Sequence, residues 1–256
     1  MIKGNTIETL KKIWKFLDDE TLYYAASLSF FTIFALLPIL ALVISFMSTN
    51  PLFEANKDLL IMYVLDFVNP THSEALTQNI QNFLVNASDL GTFGVIYLLV
   101  IFTMFFQDFE HIINKIFHTK KRNLIATFLL YVSFIIIIPF FLVIFTYIST
   151  MLPNSTYKTI LSFLFGLSFI TLIFILSVNT KVSIKAALIS AFITINVLKL
   201  TQFVFSYYVL YNEAIGTIYG AFSVVFFMFL WLYLSWIIYL YGVKICFIIN
   251  KRVLEK

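Results

Sequence analysis

The chain has 256 residues, of which 61% are hydrophobic and 12% are charged, and its net charge is +4 at pH 7. Soluble domains carry about 45–50% apolar and about 25% charged residues, so a water-soluble globule and a disordered chain are both excluded. A single cysteine also excludes a scaffold held together by disulfides. The composition indicates an all-α polytopic membrane protein, in which each span needs about 20 predominantly apolar residues.

The N-terminal segment, residues 1–20, is predicted to form an amphipathic helix on the cytoplasmic membrane surface. Ile7, Leu10, Trp14 and Leu17 recur at helical spacing, with lysines on the opposite side. A frayed N-terminal tail is the alternative for this segment.

Six apolar segments are predicted to cross the membrane and together form a membrane domain over residues 21–250. Pro38 in the first span and Pro139 in the third are expected to kink their helices, and Pro38 could end the regular part of its helix. Residues 251–256 then form a short cytoplasmic tail. The six spans cover about residues 21–47, 91–115, 123–149, 157–178, 184–210 and 216–249.

The connection between the first two spans, residues 48–89, is too apolar for a flexible linker. A helix is predicted to start at Asn50-Pro51, because Pro is favoured at the first helical position, and to stop at Asn69-Pro70. Ser73 starts a second amphipathic helix. Both helices are too short or too polar to cross, so we expect them to form a cap on the extracytoplasmic face.

The basic residues predict the orientation of the chain. Fourteen lysines and arginines lie on the side of the two termini, and only Lys57 and Lys158 lie on the other side. Cytoplasmic loops carry the excess of Lys and Arg, so both termini are predicted to be cytoplasmic. The fourteen residues are Lys3, Lys11, Lys12, Lys15, Lys115, Lys120, Lys121, Arg122, Lys181, Lys185, Lys244, Lys251, Arg252 and Lys256.

Polar residues at membrane depth are costly, so each such group indicates a partner or a role. The first group ends the second span, where several polar residues recur on one helix face close to the cytoplasmic boundary. It could form a polar gate or an ion-coupled site, or it could be a helix end that contacts lipid headgroups. Its members are Gln107, Asp108, Glu110, His111, Asn114 and His118.

The second group lies on the fifth span, where Lys181, Lys185, Asn196, Lys199 and Ser206 fall within one broad helix face. A charged Lys near the middle of a span costs about 2.5–3.5 kcal/mol on insertion scales. Lys199 is therefore expected to face the protein interior. There it would contact an anionic headgroup or pair with a carboxylate.

Catalytic and metal-binding motifs are absent from the sequence. It has no H-E-x-x-H, no G-x-S-x-G and no G-x-x-x-x-G-K-[ST] motif, and its three histidines are divided between the two sides of the membrane. We expect no enzyme activity, no cofactor and no metal. The basic residues are spread over short loops without a basic domain, so no nucleic-acid partner is expected, and the expected partners are membrane lipids.

Several motifs resemble those of the YihY/virulence factor BrkB family. Residues 24–38, YAASLSFFTIFALLP, resemble the first-span signature of the family, and residues 108–122 resemble the end of its second span and its basic loop. Tyr-Gly-Ala at 219–221, Leu-Trp-Leu-Tyr-Leu-Ser at 230–235 and Leu-Tyr-Gly at 240–242 resemble its last span. The resemblance covers roughly residues 10–250.

This resemblance implies a six-span protein of the bacterial inner membrane with links to virulence or envelope integrity. Some members carry an old ribonuclease label, but this sequence has neither a soluble domain nor a carboxylate cluster that could hold two metal ions. The family usually has an acidic residue where this chain has Lys244, and relatives often have one at Lys199. Any role that those carboxylates have in the family cannot be assigned to this chain, because it has lysine at both positions.

The sequence thus favours a permease-like protein that handles an anionic amphiphile, such as an envelope lipid, along a cavity lined by the first, second and fifth spans. The alternative is a non-transporting scaffold that supports an envelope assembly through the cap. An interior filled by Phe and Leu would favour the scaffold.

Overall fold

A computed structural model describes residues 20–48, 51–69, 73–86, 91–211 and 222–254, and within these ranges the chain is helical without strands. The helix predicted in residues 1–20 therefore falls outside the described residues, except for its last position, as do residues 212–221. The helices of the described part are α1 Thr21–Ser48, α2 Pro51–Glu54, α3 Lys57–Val68, α4 Glu74–Asn86, α5 Gly91–Ile116, α6 Leu124–Met151, α7 Ser155–Leu176, α8 Ile184–Tyr211 and α9 Phe222–Leu254.

Five of these helices, α1, α6, α7, α8 and α9, are long and apolar enough to cross a membrane. The chain is therefore a polytopic α-helical membrane protein. The predicted second span, α5, is not among these five, and the last three turns of this helix carry most of its polar residues. A total of six spans remains a prediction.

Both intramembrane prolines lie inside continuous helices. The α1 helix extends on both sides of Pro38 and the α6 helix on both sides of Pro139, and both prolines are buried. The expectation that Pro38 could end the regular part of its helix is therefore wrong. In an apolar environment the backbone groups on either side of a proline keep their helical hydrogen bonds, because no water is available to replace them.

The core of the bundle is aromatic. The α1 helix packs against α5, α6 and α9, and α9 packs against α8. The side chains between them form one cluster that includes Phe102, Phe105, Phe109, Tyr131 and Phe174, each less than 10% exposed. Aromatic side chains bury about 150–250 Å² each, so a few of them fill the space between four helices.

The contact between α8 and α9 is close because its residues are small. Ala186, Ala187 and Ala191 are fully buried on α8. A side chain on Gly242 of α9 would overlap the hydroxyl of Thr194 on α8. Small residues at a crossing allow two helix backbones to approach and gain van der Waals contact, the main driving force for helix association in lipid.

Helices α2 to α4 form the cap, defined as residues 51–86, and they pack on one end of the bundle. The helix predicted from Asn50-Pro51 to Asn69-Pro70 is two helices in the structure, since α2 ends at Glu54 and α3 begins at Lys57.

Two of the side-chain hydrogen bonds that attach the cap to the bundle reach α6 and α9. Thr146 Oγ1 of α6 donates to Asn56 Oδ1 at 2.7 Å, and Trp231 Nε1 of α9 donates to the Phe67 carbonyl at 2.6 Å. Trp231 is fully buried. The cap is therefore fixed to two different helices and does not hang from the end of α1 alone.

Candidate functional site

The end of α5 carries a buried carboxylate with a full set of partners. The Glu110 side chain is 2% exposed. Its Oε2 accepts a hydrogen bond from Thr127 Oγ1 at 2.5 Å, and its Oε1 accepts one from the Arg122 backbone N–H at 2.9 Å. The Arg122 guanidinium lies 3.6 Å from the same oxygen. A buried charge needs this kind of neutralisation, because its removal from water is expensive.

Arg122 joins this carboxylate to the C-terminal end of α7. Its guanidinium donates to the carbonyls of Leu176 at 3.0 Å, Ser177 at 3.3 Å and Val178 at 2.8 Å. The last carbonyls of a helix have no intrahelical partner and carry the negative end of the helix dipole. One side chain therefore neutralises Glu110 and satisfies three carbonyls.

Asn114, one turn after Glu110, is also buried, and both its amide nitrogen and its amide oxygen form hydrogen bonds. Its Nδ2 donates to the Glu110 carbonyl at 2.9 Å, and its Oδ1 accepts from Thr119 Oγ1 at 2.8 Å and from the Asn179 backbone N–H at 2.7 Å. We call Glu110, Asn114, Arg122, Thr127 and Asn179 the Glu110 network. It binds α5 to α6 and to the connections before α6 and α8, which is the arrangement of a structural clamp.

A similar contact adds the last helix at this end of the bundle. Asn250 Oδ1 of α9 accepts from the Ser183 backbone N–H at 2.7 Å, and its Nδ2 donates to the Lys181 carbonyl at 3.1 Å. Four helices and two connections are therefore held by side-chain amides, one carboxylate and one guanidinium.

The remaining polar residues predicted on α5 do not join the Glu110 network. Gln107 and Asp108 are half-buried, and Asp108 Oδ2 accepts from Ser27 Oγ of α1 at 3.0 Å. His111 and His118 are exposed. The single predicted face is thus divided into a buried clamp, a contact with α1 and an exposed edge, and their role in a substrate cavity stays a prediction.

The polar residues predicted on the fifth span lie on the outside of the bundle. Lys185, Asn196 and Lys199 of α8 are exposed, Lys181 is exposed just before the helix, and Ser206 is half-buried. The expected interior position of Lys199 is therefore wrong. The small residues on the other side of α8 pack against α9, which turns the polar face outward.

Lys199 lies halfway along the outer surface of α8. At about 1.5 Å per residue, it is about 22 Å from the first residue of the helix and about 18 Å from the last. Its Nζ is 5.1 Å from the centroid of the Phe163 ring on α7, which in turn contacts Phe192 at 5.9 Å. Among the described residues, no carboxylate lies within ion-pair distance of this ammonium.

Much of the surface around Lys199 is apolar. Leu188, Phe192, Leu200, Phe203 and Val204 are all exposed on α8. We call this surface, with Lys185, Asn196, Lys199 and Ser206, the outer face of α8. It combines contacts for hydrocarbon chains with a cation and an amide, and so it can hold an amphiphile with an anionic headgroup.

The structure also reveals a role that sequence analysis missed. Arg122 counts in the sequence only as one more cation on the basic side, whereas in the structure it is the centre of the Glu110 network. Arg alone presents a planar fork of five donors that can serve a carboxylate and several carbonyls together. In the sequence, the feature that could have indicated this role is the change from two lysines to an arginine at position 122.

Among the residues that the structure describes, no three His, Cys, Asp or Glu side chains lie together as metal ligands would. Cys246 is a buried free thiol.

Comparison with known proteins gives a match over almost the whole chain. A family model described as Virulence factor BrkB matches residues 13–256. A UPF0761 membrane protein of Pseudoalteromonas translucida is 26% identical over 253 residues, which are 93% of this chain and 84% of the relative. One of Aggregatibacter aphrophilus is 27% identical over all of this chain and 96% of the relative.

A third UPF0761 membrane protein, from Chlorobium phaeobacteroides, is 31% identical over 91% of this chain. The chain spans 58% of the length of that relative, which is therefore considerably longer. No solved structure matches the chain.

Proposed function

The chain belongs to the virulence factor BrkB family, and from this premise we propose that it is a permease-like protein that handles an anionic amphiphile, such as an envelope lipid. In this proposal it crosses the bacterial inner membrane six times, with both termini in the cytoplasm. The headgroup moves along the outer face of α8 while the hydrocarbon chains stay in the bilayer.

The observation that carries the proposal is the exposed ammonium of Lys199 halfway along an apolar helix. A Lys exposed to hydrocarbon at the centre of a bilayer is unfavourable by about 2.5–3.5 kcal/mol or more. Its side chain is too short to bring the ammonium to either end of α8, so snorkelling does not solve the problem. An anionic headgroup would neutralise it, and Asn196, one turn away, offers a polar group beside it.

We place the route outside the bundle because aromatic side chains fill the core between the helices that the structure describes. The cluster around Phe105, Phe109 and Tyr131 occupies the space between α1, α5, α6 and α9. A headgroup that moves along the surface of the protein does not need an open cavity inside it.

The same filled interior favours the second candidate function, a non-transporting scaffold for the cell envelope. The hydrogen bonds of the cap to Thr146 and Trp231 add to this alternative, since they hold the cap as a fixed platform. The two functions differ in whether the protein needs a lipid ligand on α8.

Lipid analysis of the purified protein tests the choice. Lys199→Met keeps the side-chain length and removes the charge, and we expect it to abolish co-purification of an anionic lipid detected by native mass spectrometry. Lys244→Met is the matched control, because Lys244 of α9 also lies over an aromatic ring, Tyr241, at 4.9 Å.

The control variant should retain the lipid. If Lys199→Met retains it as well, or if it still complements an envelope defect fully, the permease-like function is wrong and the scaffold becomes the better explanation.

The orientation is tested separately by cysteine labelling. Cysteines at Ser73 and Asn154 should react with an impermeant thiol reagent in cells with a permeabilised outer membrane, and a cysteine at Thr119 should not. Cys246 is buried and should contribute little background. Labelling at position 119 would contradict the predicted orientation.

The proposal includes no catalytic activity and no nucleic-acid partner. Purified protein should show no ribonuclease activity above that of a mock preparation. Activity that co-elutes with the protein and disappears in Asp108→Ala would overturn this part of the proposal.

A further inference from the structure

The cap carries an exposed carboxylate on the helix that reaches α8. Asp66 lies in the last turn of α3, and its side chain is exposed. None of the ion pairs that the structure gives involves Asp66, and none involves Lys199 of α8. The carboxylate of Asp66 and the ammonium of Lys199 therefore do not neutralise each other.

A contact between α3 and α8 brings these two residues into one region. Gln202 Nε2 of α8 donates to the Asp66 carbonyl at 3.4 Å. Gln202 lies three residues after Lys199, and residues at this spacing are neighbours on a helix surface, with about 5–6 Å between their Cβ atoms. Trp231 of α9 fixes the same end of α3 by its hydrogen bond to the next carbonyl. The end of α3 therefore lies against α8 about one helical turn from Lys199.

An aromatic ring lies on the same side of α3 as the carboxylate. Tyr63 precedes Asp66 by three residues, so the two are neighbours on the helix surface. Tyr63 is 39% exposed, and its ring contacts Phe145 of α6 with a centroid distance of 6.0 Å. An ammonium group binds to a carboxylate by charge and to the face of an aromatic ring by a cation–π interaction. Asp66 and Tyr63 together therefore offer partners for a cation.

We infer that the end of α3 and the outer face of α8 together bind a headgroup that carries an ammonium group as well as its anionic group. This inference rests on the proposed function, in which Lys199 binds the anionic group. Asp66 and Tyr63 bind the ammonium group. Gln202 lies between the two charges, where its amide can donate to or accept from the atoms that join them.

A headgroup with anionic groups alone fits this region less well. The carboxylate of Asp66 repels an anion. The last carbonyls of α3, which lie toward α8, also carry the negative end of the helix dipole and favour a cation. The expected ligand class is therefore an aminophospholipid, such as phosphatidylserine, in which a phosphate and an ammonium group are close together.

The binding of two lipids with the same net charge tests the inference. Phosphatidylserine and phosphatidylglycerol are equally charged at neutral pH, but only phosphatidylserine has an ammonium group. Native mass spectrometry of the full chain, titrated with each lipid, gives the two dissociation constants. We expect the wild-type protein to bind phosphatidylserine about tenfold more tightly, which corresponds to about 1.4 kcal/mol. Asp66→Asn keeps the shape of the side chain and removes its charge, so this preference should disappear.

Two further variants serve as controls. Asp58→Asn is the matched control for charge, because Asp58 is also exposed on α3, two turns before Asp66, and this variant should keep the preference. Lys199→Met should weaken the binding of both lipids, because it removes the partner of the phosphate that they share.

The outcomes separate this inference from the proposed function. If Lys199→Met weakens both lipids but the wild-type protein does not prefer phosphatidylserine, or Asp66→Asn keeps the preference, the inference is wrong and the proposed function stands. Loss of the preference in Asp58→Asn as well would mean that the total charge of the cap sets it, which would also overturn the inference. If Lys199→Met weakens neither lipid, the proposed function fails, together with the inference that rests on it.

Discussion

Arg122 and Lys199 are both cations in a membrane domain, but they differ in burial and in the number of their partners. Arg122 is largely enclosed, with Glu110 beside its guanidinium and three helix-terminal carbonyls as acceptors. Lys199 is exposed on α8, and its described contact is the face of one aromatic ring. Contacts within the protein neutralise the charge of Arg122, whereas the charge of Lys199 remains available to a ligand.

The comparison separates residues that hold the bundle together from residues that could act on something outside it. Removing a partner from the Glu110 network leaves a buried charge or an unsatisfied carbonyl. Removing Lys199 leaves an apolar helix surface in lipid, which is no worse for the folded protein. Stability and ligand binding should therefore respond to different substitutions.

The largest effect is expected at Glu110. Glu110→Ala leaves the Arg122 guanidinium without its carboxylate, and breaking a buried pair in this way typically costs about 3–5 kcal/mol. The variant should unfold at a much lower temperature, measured by thermal unfolding in nanodiscs. The exposed pair of Glu54 and Lys57 provides the control, since Glu54→Ala should change the stability by less than about 1 kcal/mol. Equal stability of the two variants would contradict a structural role for the Glu110 network.

The next effect concerns the buried side of α8, opposite Lys199. Gly242→Ala adds a methyl group that overlaps Thr194 Oγ1, and overpacking of this kind costs about 1–3 kcal/mol. Gly166→Ala is the matched control, because a methyl group there meets no other atom. That control should be neutral or slightly more stable, since Ala is favoured over Gly inside helices. A tolerated Gly242→Ala would show that α8 and α9 are less closely packed than described.

A smaller effect is expected where the cap joins the bundle. Trp231→Phe keeps an aromatic ring but loses the hydrogen bond to the Phe67 carbonyl, which is worth about 0.5–1.5 kcal/mol. Hydrogen exchange of the amides of α3 should become faster, while exchange in α6 should stay unchanged. Unchanged exchange in α3 would mean that the hydrogen bond of Trp231 does not help to hold the cap.

The smallest effect on stability is expected at Lys199. Lys199→Met should not lower the free energy of unfolding, because none of the ion pairs that the structure gives involves Lys199 and Met removes a charge that is unfavourable in lipid. Leu200→Met is a suitable control, because Leu200 is 65% exposed on the same helix. A large loss of stability in Lys199→Met, with Leu200→Met unchanged, would mean that Lys199 has a structural partner and would remove the contrast with Arg122.

The prediction from sequence was accurate where the signal is local. The helices α1, α6, α7, α8 and α9 follow from runs of apolar residues, because a backbone in hydrocarbon has to satisfy its own hydrogen bonds within the segment. The family resemblance, based on short motifs such as residues 24–38 and 240–242, is confirmed by the match over residues 13–256.

The prediction failed where the direction of a helix face decides the outcome. The shared face of Lys185, Asn196 and Lys199 follows from their spacing, but hydropathy does not tell whether that face meets protein or lipid. The cost of a central lysine favoured the interior. The close packing of α8 on α9, where Thr194 lies against Gly242, outweighed this cost and left the lysine on the outside.

By itself, then, the sequence determined the class of the protein, its family and the positions of its long helices, since hydrophobic runs and helical periodicity are properties of neighbouring residues. The tertiary structure alone decided which polar groups form contacts within the protein and which are exposed. Glu110 meets Arg122, Thr127 and the end of α7 only after separate helices pack together. Such contacts depend on how helices rotate against one another, and that rotation is set by the sum of many small packing energies across the bundle.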